Sequence, residues 1–291
     1  MTCRGTNNEY QCAYLREFDD TTPFPAPMRP IAIAPILLLG NVSQAQNLVS
    51  NGSFEEYVMC PTGWGQWTQV VDWISPYTTS ADYFNACIGN SIAGVPYNQF
   101  GYQYAAHGQA YMGLATYQDG TPYYREMIAT ELNQPLQIGA PICLSFKMAV
   151  GGFGSWNGNS AIYTNKGVGM KFFTELPSDW WSYLYPNSAA LHLDVVPTDT
   201  SAWYTVSGQY VPDSAYTWLV VANFFEDELT EPTLLDKSGF GNFLTAYAFI
   251  DDVRASTDLS YCDAGMGLGS ALLPVLNATP NPFDEYLDIR I

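Results

Sequence analysis

The acidic residues are the first candidates for chemistry, because a glycosidase needs two carboxylates about 5–10 Å apart around one sugar bond. Glu55 and Glu56 are adjacent in the chain, so in a strand they point to opposite faces and cannot share a substrate. Glu126 and Glu131 have an odd spacing in a candidate strand, with the same consequence. A glycoside hydrolase therefore remains a low-ranked alternative that would need acids brought together by tertiary folding.

Nucleophilic catalysis has little support in the sequence. The only histidines are His107 and His192, and neither lies in a G-x-S-x-G elbow or a similar context. His192 falls in the strand-like run LHLDV, on the same face as Asp194, and we interpret both histidines as surface or hydrogen-bonded residues. No catalytic residue is predicted.

Aromatic side chains in long loops are the best candidates for ligand binding, since a π-face packs well on the C–H face of a sugar. Trp156, Trp180, Trp181 and Tyr183 lie in Gly-, Ser- and Asn-rich segments too long for simple turns. We predict that they bind carbohydrate, with protein–protein contact as the competing interpretation. Trp73, Trp203 and Trp218 lie in strand-like runs and are expected in the core; they are not part of this prediction.

A structural cation is the third possibility. Glu55 lies near the start of the domain and Asp251 near its end, and the first and last strands of a sandwich are commonly neighbours. Carboxylate oxygens suit a hard cation such as calcium, although no EF-hand loop is present. The alternative is that Asp251 and Asp252 simply end a strand. The acidic run FFEDELTEP is either a solvated loop or an attractor for cations.

The amino terminus resembles an export signal. From Met28, one arginine is followed by the apolar run 31–39 and then by Ser43-Gln44-Ala45, a small-x-small cleavage site. We predict a signal peptide over 28–45, and an upstream extension with no role in the fold over 1–27. The apolar run is too short for a membrane span, so no transmembrane segment is expected in the mature chain. The alternative for 31–39 is a short buried strand.

Composition and charge agree with an exported, folded domain. Hydrophobic residues make up 47% of the chain and charged residues 13%, which favours a folded protein. The net charge is −18, and cleavage after Ala45 leaves 7 basic and 24 acidic residues, or −17. Because such a surface repels phosphate backbones, nucleic acid is not expected as a partner.

Four cysteines remain after cleavage, and an even number in an exported chain indicates disulfides. Cys60 and Cys87 both lie beside turn residues and are the favoured pair. Cys143 lies in an apolar run and could be a buried thiol, so its pairing with Cys262 is left open.

Helical periodicity is weak, and short Tyr-, Val-, Ile- and Phe-rich runs bounded by turn residues predict strands. The candidates are 47–57, 68–74, 110–118, 124–133, 142–150, 167–174, 191–196, 203–211, 216–225 and 245–254. Without intervening helices they predict an all-β fold, a two-sheet antiparallel β-sandwich over 46–260. A flexible linker is expected over 261–276, and a Pro-bounded turn and strand begin a further unit at 277–291.

Several landmarks occur in a recognisable order: NLVSNGSFEEY, AHGQAYMGL, LNQPLQIGAPICLSF and YAFIDDVRAS. Together they resemble the galactose-binding-like jelly roll of carbohydrate-binding modules, as found in exported Bacteroidetes-type proteins. The tail NATPNPFDEYLDI resembles the start of a type IX secretion sorting domain.

This resemblance implies a structural calcium, carried by Glu55, Asp251 and the backbone around Ser53 and His107. It also implies secretion or attachment to the outer membrane surface through the type IX machinery. In such a bacterium the sequon Asn51-Gly52-Ser53 loses most of its weight as a glycosylation site. We therefore expect a non-catalytic module that binds a polysaccharide or cell-surface glycan, with an adhesion module for surface proteins as the alternative.

Overall fold

The computed structural model describes residues 3–4, 11–12, 47–77, 79–152, 161–178, 186–235 and 243–264. The chain divides into two compact units, Met1–Val42 and Ser43–Ile291. In the first unit, strand β1 (Cys3–Arg4) pairs antiparallel with β2 (Gln11–Cys12). The second unit contains all the other described elements.

Short strands dominate the second unit. They are β3 (Asp82–Asn85), β4 (Tyr97–Asn98), β5 (Gly101–Tyr102), β6 (Ala110–Gln118), β7 (Ile128–Glu131), β8 (Ile142–Val150), β9 (Ala161–Thr164), β10 (Val168–Phe173), β11 (Leu191–His192), β12 (Trp203–Tyr210), β13 (Trp218–Asn223), β14 (Thr233–Leu234) and β15 (Phe243–Ser256). Three 3₁₀ turns and one helix accompany them: Trp67–Gln69, Ala86–Ile88, Asp227–Leu229 and α1 (Ser260–Ala264). None of the described helices is long and apolar enough to cross a membrane.

The strands form two main sheets, which confirms the predicted all-β sandwich. The large sheet has the order β12-β8-β15-β6-β3, with β9 pairing to β15 and β14 to β9. The small sheet has the order β11-β10-β13-β7. Pairing is antiparallel except between β15 and β9, which run parallel. A separate hairpin joins β4 to β5.

Alternation along the strands creates the core between the sheets. In β8, Leu144, Phe146 and Met148 are buried in the core, whereas Ser145 and Lys147 point outward and are partly exposed. This is the pattern predicted for a half-buried antiparallel strand. Residues 219–223 of β13 are buried on both faces, and β13 lies between β10 and β7 as an interior strand. The sequence also predicted this central position.

The amino-terminal run 47–57 differs from its prediction as a strand. Only isolated bridges form there, at Asn47, Val49 and Tyr57, and a turn occupies the middle. Phe54 has a positive φ of 60°, a conformation that costs about 1 kcal/mol or more outside glycine. Its ring is fully buried and lies 5.0 Å from the ring of Trp73, so hydrophobic burial offsets that cost. Phe54 therefore faces the core as expected, but from a turn.

The sequon Asn51-Gly52-Ser53 has a structural role in this turn. The Asn51 amide donates to the carbonyls of Glu56 and Val71, each at 2.8 Å, and accepts from the Glu56 N–H at 3.0 Å. These bonds use both donors and the acceptor of the side chain. The amide thus holds the turn closed and is not free for modification.

The run predicted as a strand at 68–74 is also different. A 3₁₀ turn ends at Gln69, and only isolated bridges form at Val70 and Ile74. Two disulfides lie near these irregular parts of the chain. Cys60 is bonded to Cys87, the favoured pair, with their Cα atoms 6.0 Å apart. Cys143 is bonded to Cys262 with a Cα distance of 5.6 Å, so the pairing that the sequence left open is a disulfide.

Two carboxylates are buried together beside β3. Asp82 accepts from the Gly65 N–H at 2.6 Å and from the Tyr247 hydroxyl. Glu126 accepts from the Ser80 hydroxyl at 2.5 Å and the Ala115 N–H at 2.8 Å. Burial, and then the charge of Glu126, raises the pKa of Asp82 to about 7, and burial also raises the pKa of Glu126.

This pair predicts that the protein loses stability as the pH rises from 5 to 8. The pKa of Asp82 is higher in the folded chain than its ordinary value of 3.8, so the folded state holds a proton that the unfolded state has lost. The free energy of unfolding should fall by up to about 1.4 kcal/mol per pH unit for each such group. Denaturant unfolding across this range measures the slope.

Asp82→Asn should flatten this slope, whereas Asp119→Asn, a change at an exposed carboxylate, should not. In the wild type and in Asp119→Asn alike, the groups that face Asp82 are the carboxylate of Glu126 and the phenols of Tyr124 and Tyr247. Burial raises the pKa of Asp251 to about 7 as well, so part of the slope will persist. An identical slope in wild type and Asp82→Asn would contradict the assignment.

Candidate functional site

The aromatic residues predicted to bind ligand, Trp156, Trp180, Trp181 and Tyr183, lie outside the described residues. Their role stays a prediction. Trp73 is buried in the core, and Trp203 and Trp218 pack partly buried against the two outer clusters of the sheets. Trp73 is therefore in the core as expected, whereas Trp203 and Trp218 are only partly buried.

The described residues form a groove of about 440 Å³, which we call the end groove. It lies between the end of β6 with the turn that follows and the 3₁₀ segment around Asp227. Its lining residues are Tyr117, Gln118, Gly120, Pro122, Asp227, Glu228 and Pro232. Four of these are exposed (Gly120, Pro122, Glu228 and Pro232), so the groove is open to solvent along its rim.

Tyr117 lines the groove, and Tyr163 packs against it from beside the lining residues. The rings of Tyr117 and Tyr163 meet edge to face, with centroids 5.6 Å apart and an angle of 71°. Their hydroxyls donate to the two oxygens of Asp119, each at 3.4 Å. Burial and the nearby charge of Asp119 raise the pKa of both phenols, so they are neutral at physiological pH. Asp119 therefore orients two aromatic rings at the edge of the groove.

A buried ion pair positions the opposite wall. The Arg125 side chain is fully buried and lies 2.6 Å from the Asp227 carboxylate, whose side chain is 20% exposed. Arg125 also donates to the carbonyls of Tyr124 and Phe225, and the second Asp227 oxygen accepts from the Tyr123 N–H at 3.1 Å. These bonds join the two walls of the groove, because Arg125 follows one wall and Asp227 belongs to the other.

Sequence reasoning missed most of this arrangement. The sequence predicts the acidic run around Asp227 only as a solvated loop or a cation attractor, and its pattern does not indicate Tyr117, Asp119 or Tyr163. Tyr117 lies at the end of β6 and Asp119 directly follows that strand, so their proximity could be predicted from the sequence. Tyr163 is distant in sequence, and nothing in the chain pattern indicates that it meets them.

A smaller cavity of about 200 Å³ lies on the other side of the same 3₁₀ segment. Lys166, Gly167, His192, Asp194, Phe225 and Leu229 line it. Burial lowers the pKa of His192, its ring lies 4.8 Å from that of Phe225, and Nε2 is 4.0 Å from the Asp194 carboxylate. This histidine is packed against Phe225 and close to Asp194, in agreement with its interpretation from sequence.

The residues predicted to hold a cation meet at one turn. Glu55 Oε1 accepts from the backbone N–H groups of Gln109 and Ala110 at 2.8 and 2.9 Å. Asp251 is fully buried, and its Oδ2 accepts from the His107 N–H at 2.8 Å. His107 thus contributes its backbone and not its ring. Ser53 lies two residues before Glu55 and is partly exposed.

Gly108 is required at this turn for two reasons. Its φ is +67°, in the left-handed region, and a Cβ atom there would overlap the Glu55 carboxylate. The glycine therefore lets the carboxylate lie against the backbone of the turn.

The donor set agrees in kind with calcium but is small. Glu55 and Asp251 supply only oxygen, as a hard cation prefers. No described Lys or Arg forms an ion pair with either carboxylate. Among the described residues there is no group of three or more His, Cys, Asp or Glu side chains placed to hold a metal. A bound calcium would have to complete its shell with backbone carbonyls or water.

An exposed apolar loop precedes and follows Cys60. Val58, Met59 and Trp64 are 72%, 59% and 52% exposed, and Tyr57 is 38% exposed. The disulfide of Cys60 closes this loop onto the Ala86–Ile88 turn. We call residues 57–64 the apolar loop. Large apolar side chains exposed together are typical of a contact surface.

The sequence matches no protein-family model, and no curated protein is significantly similar to it. Among solved structures it is similar to a carbohydrate-binding module of the type CBM4, at 17% identity over 72% of this chain and 98% of that one, with a TM-score of 0.32. It is also similar to a cleaved adhesin domain of Lys-gingipain from Porphyromonas gingivalis, at 11% identity over 70% and 94% of the two chains, with a TM-score of 0.33.

A third similar structure is the family 11 carbohydrate-binding module from Clostridium thermocellum in complex with a beta-1,3-1,4-mixed-linked tetrasaccharide. The identity is 10%, the coverage 64% of this chain and 89% of that one, and the TM-score 0.29.

Proposed function

We propose that the second unit is an exported, non-catalytic module that binds carbohydrate, and that the end groove is one of its binding surfaces. The observation that carries this proposal is the Tyr117–Tyr163 ring pair, oriented by Asp119 at the edge of an open groove. Concave sites with aromatic surfaces and a few placed polar groups are typical of small-ligand recognition.

The groove has the two kinds of group that a sugar needs. The tyrosine faces can pack against the apolar C–H face of a pyranose, and neutral phenols are hydrogen-bond donors and acceptors. Gln118 and the exposed Glu228 offer further acceptors for sugar hydroxyls. Because the rim is open, a polymer could extend beyond the groove at either end.

The acids near the groove favour binding over hydrolysis. Asp119 is engaged by two tyrosine hydroxyls and Asp227 by Arg125, so both carboxylates position other side chains. The neighbouring carboxylates Asp82 and Glu126 are 4% and 5% exposed and do not line the end groove. Hydrolysis requires two free acids around one sugar bond. These four residues do not form such a pair.

Binding through the groove is tested by a glycan array and pull-down with insoluble polysaccharides, followed by variants. Tyr163→Ala should weaken binding of a retained glycan at least about tenfold, since truncation of an aromatic anchor typically costs more than 1 kcal/mol. Tyr163→Phe keeps the ring and should bind almost as well. Tyr57→Ala, at an exposed ring outside the groove, is the matched control.

Retention of a glycan that is equally strong in Tyr117→Ala, Tyr163→Ala and the control would exclude the groove as the site. No retained glycan at all would exclude the carbohydrate proposal. In that case the second candidate function, contact with another surface protein, is favoured by the apolar loop, and Trp64→Ala tests it against any purified partner.

We also propose that calcium stabilises the turn at which Glu55 and Asp251 meet. The support is the convergence of two carboxylates from opposite ends of the domain on residues 107–110. Bound calcium would neutralise two acids that no described cation pairs with. Ser53 and His107 would contribute through their backbone.

Chelation with EDTA should therefore lower the melting temperature, and added CaCl₂ should restore it. Asp251→Asn should melt at the same temperature with or without EDTA. Glu131→Ala, a change at an exposed carboxylate of β7, should keep the full response. Superimposable melting curves of the wild type in EDTA and in CaCl₂ would refute the site.

Export is the remaining part of the proposal, and it is supported by the signal-like segment 28–45 and by the tail that resembles a type IX sorting domain. The type IX machinery would be the transport partner, and the mature module would be secreted or held at the outer membrane surface. Amino-terminal sequencing of the exported protein should begin at Gln46. A start within 1–27 would show that this segment is retained.

A further inference from the structure

The outer face of the large sheet carries a second candidate binding surface, which begins with the β4–β5 hairpin. Phe100, in the turn of this hairpin, stacks on Tyr247 with a centroid distance of 3.8 Å and an angle of 8°. The buried Asn98 amide donates to the Tyr111 hydroxyl at 2.7 Å, and that hydroxyl donates to the Gln103 carbonyl at 3.0 Å. The hairpin is therefore anchored from below by aromatic packing and buried hydrogen bonds.

The other side of this segment presents three tyrosines, which we call the tyrosine platform: Tyr97, Tyr102 and Tyr104. Tyr102 and Tyr104 are 49% and 64% exposed. The Tyr102 ring lies 6.0 Å from that of Tyr97 and 5.8 Å from that of Tyr104, and the hydroxyls of Tyr102 and Tyr104 are 3.3 Å apart. Rigid exposed tyrosines contact ligands at a low cost in conformational entropy.

The platform continues onto the sheet through Trp203. The Trp203 Nε1–H donates to the Tyr104 carbonyl at 2.8 Å. The next outward residue of β12 is Thr205, which lies about 7 Å further along the same face. Lys147 on β8 is its register partner, and the Lys147 ammonium donates to the Thr205 hydroxyl at 2.6 Å.

Lys147 forms no ion pair with any described residue, although the chain has a net charge of −18. By contrast, Lys166 pairs with Glu231 at 2.7 Å and Arg254 with Asp252 at 2.8 Å. The register partner of Lys147 on β15 is Asp251, but that carboxylate accepts from the N–H groups of His107 and Asp252. The ammonium is thus oriented by Thr205 and keeps donors for another acceptor.

We propose that the tyrosine platform together with Thr205 and Lys147 binds an acidic sugar. One sugar ring of an oligosaccharide packs against Tyr102 and Tyr104, and a carboxylate or sulfate of a neighbouring sugar accepts a charge-assisted hydrogen bond from Lys147. This surface shares no residue with the end groove, so it is a second site with a different charge preference. Asp227 and Glu228 line the end groove, and none of the described residues that line it is a Lys or Arg.

The test is isothermal titration calorimetry of the full chain with short oligosaccharides. Short probes are needed because the remaining acidic surface repels a long polyanion. The probes are tetragalacturonate, its fully methyl-esterified form and a sulfated galactan tetrasaccharide. At least one of the two anionic probes should bind, and the tetragalacturonate should bind at least tenfold more tightly than its ester if the carboxylate is the group recognised.

Lys147→Met should reduce the affinity for the anionic probe at least tenfold and leave any binding of the ester unchanged. Lys147→Gln, which keeps a donor for Thr205 but lacks the charge, should lose as much. Lys171→Met is the matched control, since Lys171 lies in the small sheet and donates to Ser188, and it should bind like the wild type. Melting curves verify that each variant is folded.

Two results would overturn the proposal: absence of binding to both anionic probes, or binding that Lys147→Met leaves intact. Tyr117→Ala separates this site from the end groove, because it should not change the affinity for the acidic probe. A negative result with the acidic probes therefore does not contradict carbohydrate binding in the end groove. A negative result for the end groove likewise does not contradict acidic-sugar binding at the tyrosine platform.

Discussion

The pairing of strand β15 is the constraint on which the rest of the sandwich depends. This strand is the last of the described strands, yet it lies in the middle of the large sheet, between β8 and β6, and also pairs with β9. Its inward residues fill the core, and its outward residues hold the loops: Tyr247 supports Phe100 and Asp82, and Asp251 holds the turn at His107. Nearly every contact in the large sheet therefore joins distant parts of the chain, so the sheet is complete only when β15 is in place.

Both candidate binding surfaces use side chains that this sheet positions. The end groove begins where β6 ends, and Asp119 orients Tyr117 together with Tyr163 of β9 there. The second surface extends from the tyrosine platform onto β8 and β12, where Lys147 contacts Thr205. Regular strands determine these distances more rigidly than loops could, because the register fixes which residues are neighbours. The two surfaces differ in charge, and this difference would let one module contact a neutral and an acidic part of a mixed polymer.

Buried polar groups are concentrated where strands meet irregular segments. Asp82 and Glu126 join β3 and β6 to the segments around Gly65 and Ser80, and Arg125 joins the two walls of the end groove. Each buried group has hydrogen-bond partners, as the cost of an unsatisfied buried polar group requires. Such interactions hold loops in one conformation, which is the property that a preformed binding surface needs.

Local pattern was sufficient for the regular part of the fold. The predicted strands 110–118 and 142–150 coincide with β6 and β8, because alternation of polar and apolar residues reports directly which face is buried. The run 47–57 was misread as a strand because its alternation is also satisfied by a turn that buries Phe54. What the sequence by itself determined was the all-β sandwich and its core faces. Only the tertiary structure decided that Tyr163 meets Tyr117 and that Lys147 meets Thr205, since these partners are distant in the chain and are brought together by strand order, which hydrophobic periodicity does not encode.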